Sequence, residues 1–287
     1  MIIGSSTIEK YLHLVVVFML LLSIGCAKNA QKTLMDDQYY FDRGMKNMKK
    51  KNYVNAIKDF QTIVESHPNS AIIDKAQFMF AEAHYNNEDY VTAAYEYERV
   101  YMDYPSSEYA AEAWYKKAMC WNLESPKANL DQENTRLAID EFQRFIDSYP
   151  YDAHADEAKK RIIELNEKLA YKDYLNAEQY RKLKAYDAAL IYYELVISTY
   201  PKSAWVDYCR YGMGLVHTKL MQREFKKLKK INNNNTLMTG KIKETARQEN
   251  NQAKILFTMI VNSNAVQQLK NKASEKLSEL EEVKELK

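Results

Sequence analysis

The sequence predicts an all-α fold: a superhelical array of five helix hairpins with an additional C-terminal helical segment. Two observations carry this. The 287 residues include only 6 Gly and 5 Pro, so the usual turn formers are scarce and helices are favoured. Four of the five prolines follow His or Tyr, at His67-Pro68, Tyr104-Pro105, Tyr149-Pro150 and Tyr200-Pro201, and each closes a similar segment. The segments are NYVNAIKDFQTIVESHP, DYVTAAYEYERVYMDYP, NTRLAIDEFQRFIDSYP and AYDAALIYYELVISTYP. Self-similarity of this kind marks stacked helical units that bury a shared core.

Within each segment an alanine stands 12 residues before the proline (Ala56, Ala93, Ala138, Ala189) and an aromatic 8 before it (Phe60, Tyr97, Phe142, Tyr193). Tyrosine stands 15 before it in three segments (Tyr53, Tyr90, Tyr186), with Thr135 in the other. Small residues recur upstream at Gly44, Ala81, Ala118, Ala177 and Gly214. Where two antiparallel helices cross closely, only a small side chain fits. The aromatic fills the gap to the next unit, and proline ends the second helix. These columns resemble the tetratricopeptide pattern, in which a small residue occupies position 8, alanine position 20, an aromatic a place near position 24 and proline position 32.

From the N-terminus, residues 1–25 read as a lipoprotein signal peptide. Leu14 to Leu22 is LVVVFMLLL, uncharged, and far short of the roughly 20 apolar residues of a spanning helix. That length suits the apolar core of a secretory signal. The following Leu22-Ser23-Ile24-Gly25-Cys26 resembles a bacterial lipobox, although that pattern prefers leucine where Ser23 stands. A signal cut elsewhere and an uncleaved anchor helix are the other readings. The lipobox resemblance implies a covalent lipid on Cys26, and no other cofactor. Several acyl chains give a permanent tether where one binds only reversibly, and Ala27 permits delivery to the outer membrane. Residues 26–36 are then a lipid-anchored linker. Cys120 and Cys209, in apolar helical contexts, are expected to be small buried side chains, although an oxidising compartment would allow a disulfide.

Residues 37–222 hold the five repeats. Proline precedes the next small residue by 13 residues from Pro68 to Ala81, Pro105 to Ala118 and Pro201 to Gly214, but by 27 from Pro150 to Ala177. The excess is close to four turns at 3.6 residues per turn. The segment DAHADEAKKRIIELNEKLAYKDYLNAEQYRKLK, without Pro or Gly, is therefore expected as one long helix. Between Ala118 and Ala138 the gap is 20 residues against 12 elsewhere, which inserts a loop around LESPKANLDQEN. Residues 223–240, a basic run and then Asn232 to Asn235, read as a loop. Residues 241–287 are expected as C-terminal helices, either covering the last repeat or forming a partner-binding arm.

This arrangement resembles the BamD family of outer-membrane assembly lipoproteins, also called YfiO or ComL. The shared features are the lipidated cysteine, five repeats, a loop insertion in the third and a long helix leading into the fourth. The stretch from Leu130 to Pro201 carries most of the likeness, and the whole runs over residues 26–222. The resemblance implies a non-enzymatic scaffold of the outer-membrane β-barrel assembly machinery, lipid-anchored at the periplasmic face. The implied partners are the barrel-forming assembly protein, other assembly lipoproteins, the C-terminal segments of unfolded barrel proteins and, through the lipid, the membrane. The alternative is a periplasmic tetratricopeptide scaffold for another envelope or cell-division complex.

In such repeats, positions 2, 5, 9 and 12 of the first helix line a concave groove. Position 5 is Phe41, Phe78, Tyr115, Tyr174 and Tyr211; position 9 is Met45, Glu82, Met119, Glu178 and Leu215; position 12 adds Met48 and Tyr85. Candidate peptide-binding residues are Phe41, Met45, Met48, Phe78, Glu82, Tyr85 and Tyr115. Aromatic rings offer large rigid contact area and methionine adapts to varied ligands; the same rings equally suit packing between helices. A formal charge of +2 leaves no electrostatic footprint for nucleic acid. The histidines lack metal-ligand spacing, and neither a nucleophile elbow nor a phosphate loop occurs, so no catalytic or metal site is expected.

Overall fold

The computed structural model describes residues 36–230 and 236–283. The signal peptide 1–25, the lipidation site Cys26, residues 26–35 of the linker and Asn232 to Asn235 lie outside the described residues. Among the described residues there are eleven helices and no strand. They are α1 (Asp37–Lys49), α2 (Tyr53–Ser66), α3 (Ile73–Asn86), α4 (Tyr90–Asp103), α5 (Ala110–Leu123), α6 (Glu133–Ser148), α7 (Ala155–Lys182), α8 (Tyr186–Thr199), α9 (Trp205–Leu228), α10 (Thr236–Asn262) and α11 (Gln267–Glu281). The chain divides into two units, one ending at Cys120 and one starting at Trp121.

In the first unit α1 pairs with α2, α2 packs on α3, and α3 pairs with α4. The α1–α2 crossing explains its glycine. A Cβ on Gly44 would stand 2.7 Å from Phe60 Cε1, inside any real contact, and Phe60 is wholly buried with Ala56 and Ile63. The turns of the first, second and fourth hairpins are left-handed helix ends. Lys51, Glu88 and Lys184 have φ of 57°, 61° and 61°. The amides of Asn52, Asp89 and Ala185 reach back to the carbonyls of Asn47, His84 and Tyr180 at 2.9, 3.1 and 3.1 Å, the closure of a Schellman motif.

The joints between hairpins follow a second rule, absent from the sequence reading. Two residues past each His/Tyr-Pro stands Ser70, Ser107, Asp152 or Ser203. Each side-chain oxygen accepts an amide two residues on, from Ile72, Tyr109, His154 and Trp205 at 3.1, 3.2, 2.8 and 3.1 Å. The three serines also donate backwards, Ser70 to Asp37, Ser107 to Asp74 at 2.6 Å and Ser203 to Glu167 at 2.9 Å. One hydroxyl thereby closes the turn that leads into the next helix and latches it to the first helix of the preceding hairpin or, for Ser203, to the long α7.

In the second unit α7 is the expected long helix of 28 residues, about 42 Å at 1.5 Å per residue. Its first half packs on α6 and its second half pairs with α8. The inserted loop before α6 is folded around wholly buried Gln132, whose Nε2 donates to the carbonyls of Lys127, Leu130 and Asp131 at 2.9, 3.2 and 3.1 Å. Thr135 donates to Gln132 Oε1 at 2.8 Å, which is why the third segment departs from tyrosine there. Lys168 and Lys172 of α7 clamp the loop through Ser125 Oγ and the Leu130 carbonyl, both at 2.7 Å.

The C-terminal part corrects two expected boundaries. Helix α9 continues to Leu228, so Arg223–Leu228 is helical and not loop. Met221 and Glu224 are buried there, Phe225 joins the C-terminal core, and Lys227 bridges Glu224 at 2.6 Å. Helix α10 begins at Thr236, not 241, and serves as the second helix of the fifth hairpin. Its Ala253 and Phe257 repeat the four-residue spacing of Ala56 and Phe60, and a Cβ on Gly214 would stand 2.7 Å from the Phe257 ring. The fifth repeat therefore extends past residue 222. It was hidden because no proline ends α10, although Ser263 makes the same joint, accepting from Ala265 N at 3.0 Å and donating to Asp207 at 2.8 Å. Helix α11 covers α10 through buried Leu269, Ala273 and Leu280.

Gly44→Ala should destabilise the protein by about 1–3 kcal/mol through overpacking against Phe60, read as a lower urea midpoint. Ser107→Ala should cost about 1–2 kcal/mol, the loss of a turn hydrogen bond together with one to a carboxylate, read as a lower urea midpoint.

Candidate functional site

All seven candidate groove residues lie in the first unit, on α1, α3 and α5, and the structure separates them into two groups. Phe41, Phe78 and Tyr115 are only 6%, 6% and 8% exposed. Phe41 meets Phe60 edge-on at 5.7 Å between ring centres. Phe78 stacks on Tyr109 at 4.9 Å and tilts against Tyr97 at 5.8 Å. These rings are packing layers that offer a ligand little beyond an edge. Met45, Met48, Glu82 and Tyr85 are half-buried and keep accessible surface. Met45 and Met48 lie over the cluster built on Phe41, Ala56 and Phe60.

The charges beside this row have an internal cause. Tyr97 is wholly buried, and its hydroxyl donates to Glu82. Burial pushes the Tyr97 phenol far above its usual range, and the Glu82 charge adds to that. Lys116 Nζ bridges Glu82 at 2.9 Å and sits 4.9 Å over the Tyr85 ring, a cation–π contact. Burial also raises the Tyr85 phenol. The second unit repeats the device. Buried Tyr193 donates to Glu178, and Arg181 grips the same carboxylate at 2.9 and 2.6 Å. Burial alone would raise Glu178, but the hydrogen bonds from Arg181 and Tyr193 outweigh it and hold the carboxyl below its ordinary value.

A rule links the two columns. Hairpins with a buried tyrosine at position 24 carry glutamate at position 9: Glu82 with Tyr97, and Glu178 with Tyr193. Where position 24 is phenylalanine, the sequence has an apolar residue at position 9: Met45 before Phe60, Met119 before Phe142, and Leu215 before Phe257. A buried phenol needs an acceptor and a phenyl ring does not. Comparing the two columns in the sequence would have revealed this pairing. Glu82, chosen as a groove residue, is thus tied to the core as well.

The histidines serve the frame. His84, His154 and His217 each place Nδ1 against one carboxylate, Asp89 at 3.0 Å, Asp152 at 2.9 Å and Glu249 at 2.6 Å. Cys120 and Cys209 are wholly buried, and burial pushes the Cys209 thiol up to about 12. Among the described residues no group of three or more His, Cys, Asp or Glu could hold a metal. No described helix is long and apolar enough to cross a membrane.

A family model for YfiO, an outer membrane lipoprotein, matches residues 34–208, from the start of α1 into the first turn of α9. The chain belongs to the YfiO family. Relatives of this YfiO chain include the outer membrane protein assembly factor BamD of Caulobacter vibrioides, 28% identical over 163 residues. That match covers 55% of this chain and 53% of the relative, so the chain spans about half of that protein's length. BamD of Xylella fastidiosa strain 9a5c is 23% identical over 211 residues, 68% of this chain and 72% of its own length. Among solved structures, a TPR repeats protein from Bacteroides fragilis aligns with a TM-score of 0.48 at 13% identity, covering 86% of this chain and 98% of that one.

Glu178 supplies a pH test for this YfiO-family chain. Its folded pKa is depressed, so its contribution to stability is fully present above the ordinary glutamate value of about 4.3. That contribution is lost as pH falls through the lower folded value. Glu178→Gln should cost about 1–3 kcal/mol near neutral pH by leaving Tyr193 and Arg181 poorly partnered, and should flatten the acid limb of a urea-midpoint-versus-pH curve.

Proposed function

We propose that this chain is a non-enzymatic scaffold lipoprotein of the outer-membrane β-barrel assembly machinery, tethered at the periplasmic face by lipid on Cys26. The family match across residues 34–208 carries this reading, and relatives named as assembly factors support it. Its partners are the barrel-forming assembly protein, other assembly lipoproteins and the C-terminal segments of unfolded barrel proteins. Within the first unit, the half-buried row of Met45, Met48 and Tyr85 suits such a segment. It combines adaptable thioethers with a ring that carries the Lys116 ammonium on one face, and a C-terminal peptide brings both apolar side chains and a carboxylate.

Depletion of the protein should lower many outer-membrane barrels together, measured by proteomics of the envelope. Normal barrel levels alongside a division defect would transfer the chain to another envelope scaffold. The groove is tested by Met48→Ala combined with Tyr85→Ala. The pair should weaken binding of a peptide ending in aromatic residues on the order of tenfold with little change in thermal unfolding. Phe41→Ala and Phe78→Ala are unsuited to that test, since truncating a buried phenylalanine costs about 3–5 kcal/mol. Unchanged affinity in the Met48/Tyr85 pair would place the peptide elsewhere.

A further inference from the structure

A second concave site lies at the tip of the first hairpin, where α1 ends and α2 begins. It is a cavity of about 440 Å³ lined by Arg43, Lys46, Asn47, Lys50, Asn55, Lys58 and Asp59. Its one acid is already spent. Asp59 is buried and receives Arg43 Nε at 2.8 Å on one oxygen and Asn47 Nδ2 at 2.8 Å on the other. Lys46, Lys50 and Lys58 are exposed and make no ion pair among the described residues, and Lys49 and Lys51 flank them. The first turn of α2 has no side-chain cap, which leaves amides beside Asn55 that favour an anion.

The placement of charge is unusual for this unit. Residues 36–120 contain 10 Lys and Arg against 14 Asp and Glu, yet residues 43–58 hold six of those cations and no acid. One or two cations in the last turn of α1 would satisfy the helix dipole; five lysines exceed that need. Val54, in the first turn of α2, is 55% exposed. A basic tip carrying an apolar residue on an otherwise acidic body matches a surface dense in phosphates over a hydrocarbon layer, because clustered lysines near such a surface each add attraction.

We infer that this cavity binds the phosphate of anionic phospholipid headgroups and docks the tip of the first hairpin on a bilayer. The inference goes beyond the assembly role and does not depend on acylation, so its material is the full chain carrying Cys26→Ala. That chain should bind vesicles of phosphatidylcholine mixed with phosphatidylglycerol and not vesicles of phosphatidylcholine alone. Binding should fade as salt shortens the screening length from about 10 Å at 0.1 M to about 3 Å at 1 M. Adding Lys46→Gln, Lys50→Gln and Lys58→Gln should weaken binding on the order of 100-fold, while Lys241→Gln, Lys243→Gln and Lys272→Gln, with the same charge change, should leave it nearly intact. Equal binding to both vesicles, or equal loss in both triple variants, would overturn the inference. So would displacement by inorganic phosphate at matched ionic strength, which would make the site one for the free anion, or capture of an acidic peptide without vesicle binding.

Discussion

The first and fifth hairpins are set by how closely their two helices cross. In the first hairpin the distance is fixed by Gly44 against the Phe60 ring, and in the fifth by Gly214 against Phe257, in both cases with no room for a Cβ. At such a crossing the ring abuts bare backbone and is shut from water. Ala56 and Ala253, one turn before the rings, are wholly buried and let the backbones converge. Between hairpins the same economy operates once more: a Cβ on Gly212 would stand 2.3 Å from Tyr193 of the preceding hairpin. Tight packing of this kind fixes rotamers and leaves few alternatives.

That geometry also dictates where polar groups go. A ring pinned at the crossing is buried whether it is phenyl or phenol, so a tyrosine there must bring an acceptor with it. Glu82 and Glu178 are those acceptors, and each in turn recruits a cation, Lys116 or Arg181. The charged groups beside the candidate groove are therefore first a consequence of two core hydroxyls. What remains adaptable is the methionine and tyrosine row, whose members face a packed layer on one side and keep surface on the other.

The repeat architecture was legible because its constraints are steric and local. Small, aromatic and proline columns at fixed offsets report a crossing, a filled gap and a stop, and the long helix and inserted loop showed as changes in those offsets. Two things were not legible from those columns. Helix α10 lacks the terminal proline, so its membership in the fifth hairpin rested on Ala253, Phe257 and Ser263, none of which stands out alone. The division of the groove into buried rings and accessible neighbours depends on which helix each residue meets, and position 5 reads the same whether a ring faces ligand or Tyr109. The serine latch stands two residues past each helix-ending proline except Pro150, where Asp152 takes its place.

The basic tip follows from the same stacking logic applied to an end. In hairpins two and five, positions 7 and 10 of the first helix are Phe80 with Ala83 and Met213 with Val216, and these side chains pack back onto the preceding hairpin. The first hairpin has no described repeat before it, and the corresponding residues are Arg43 and Lys46. A terminal face must be polar for solubility, but that requirement is neutral as to sign. A mixture of acids and bases would meet it and would avoid repulsion among five unpaired lysines. The only acid retained, Asp59, is buried and neutralised by Arg43, which removes the one group able to quench the site. Like charges facing a common cavity favour the approach of an anion, which the terminal position of the hairpin does not by itself require.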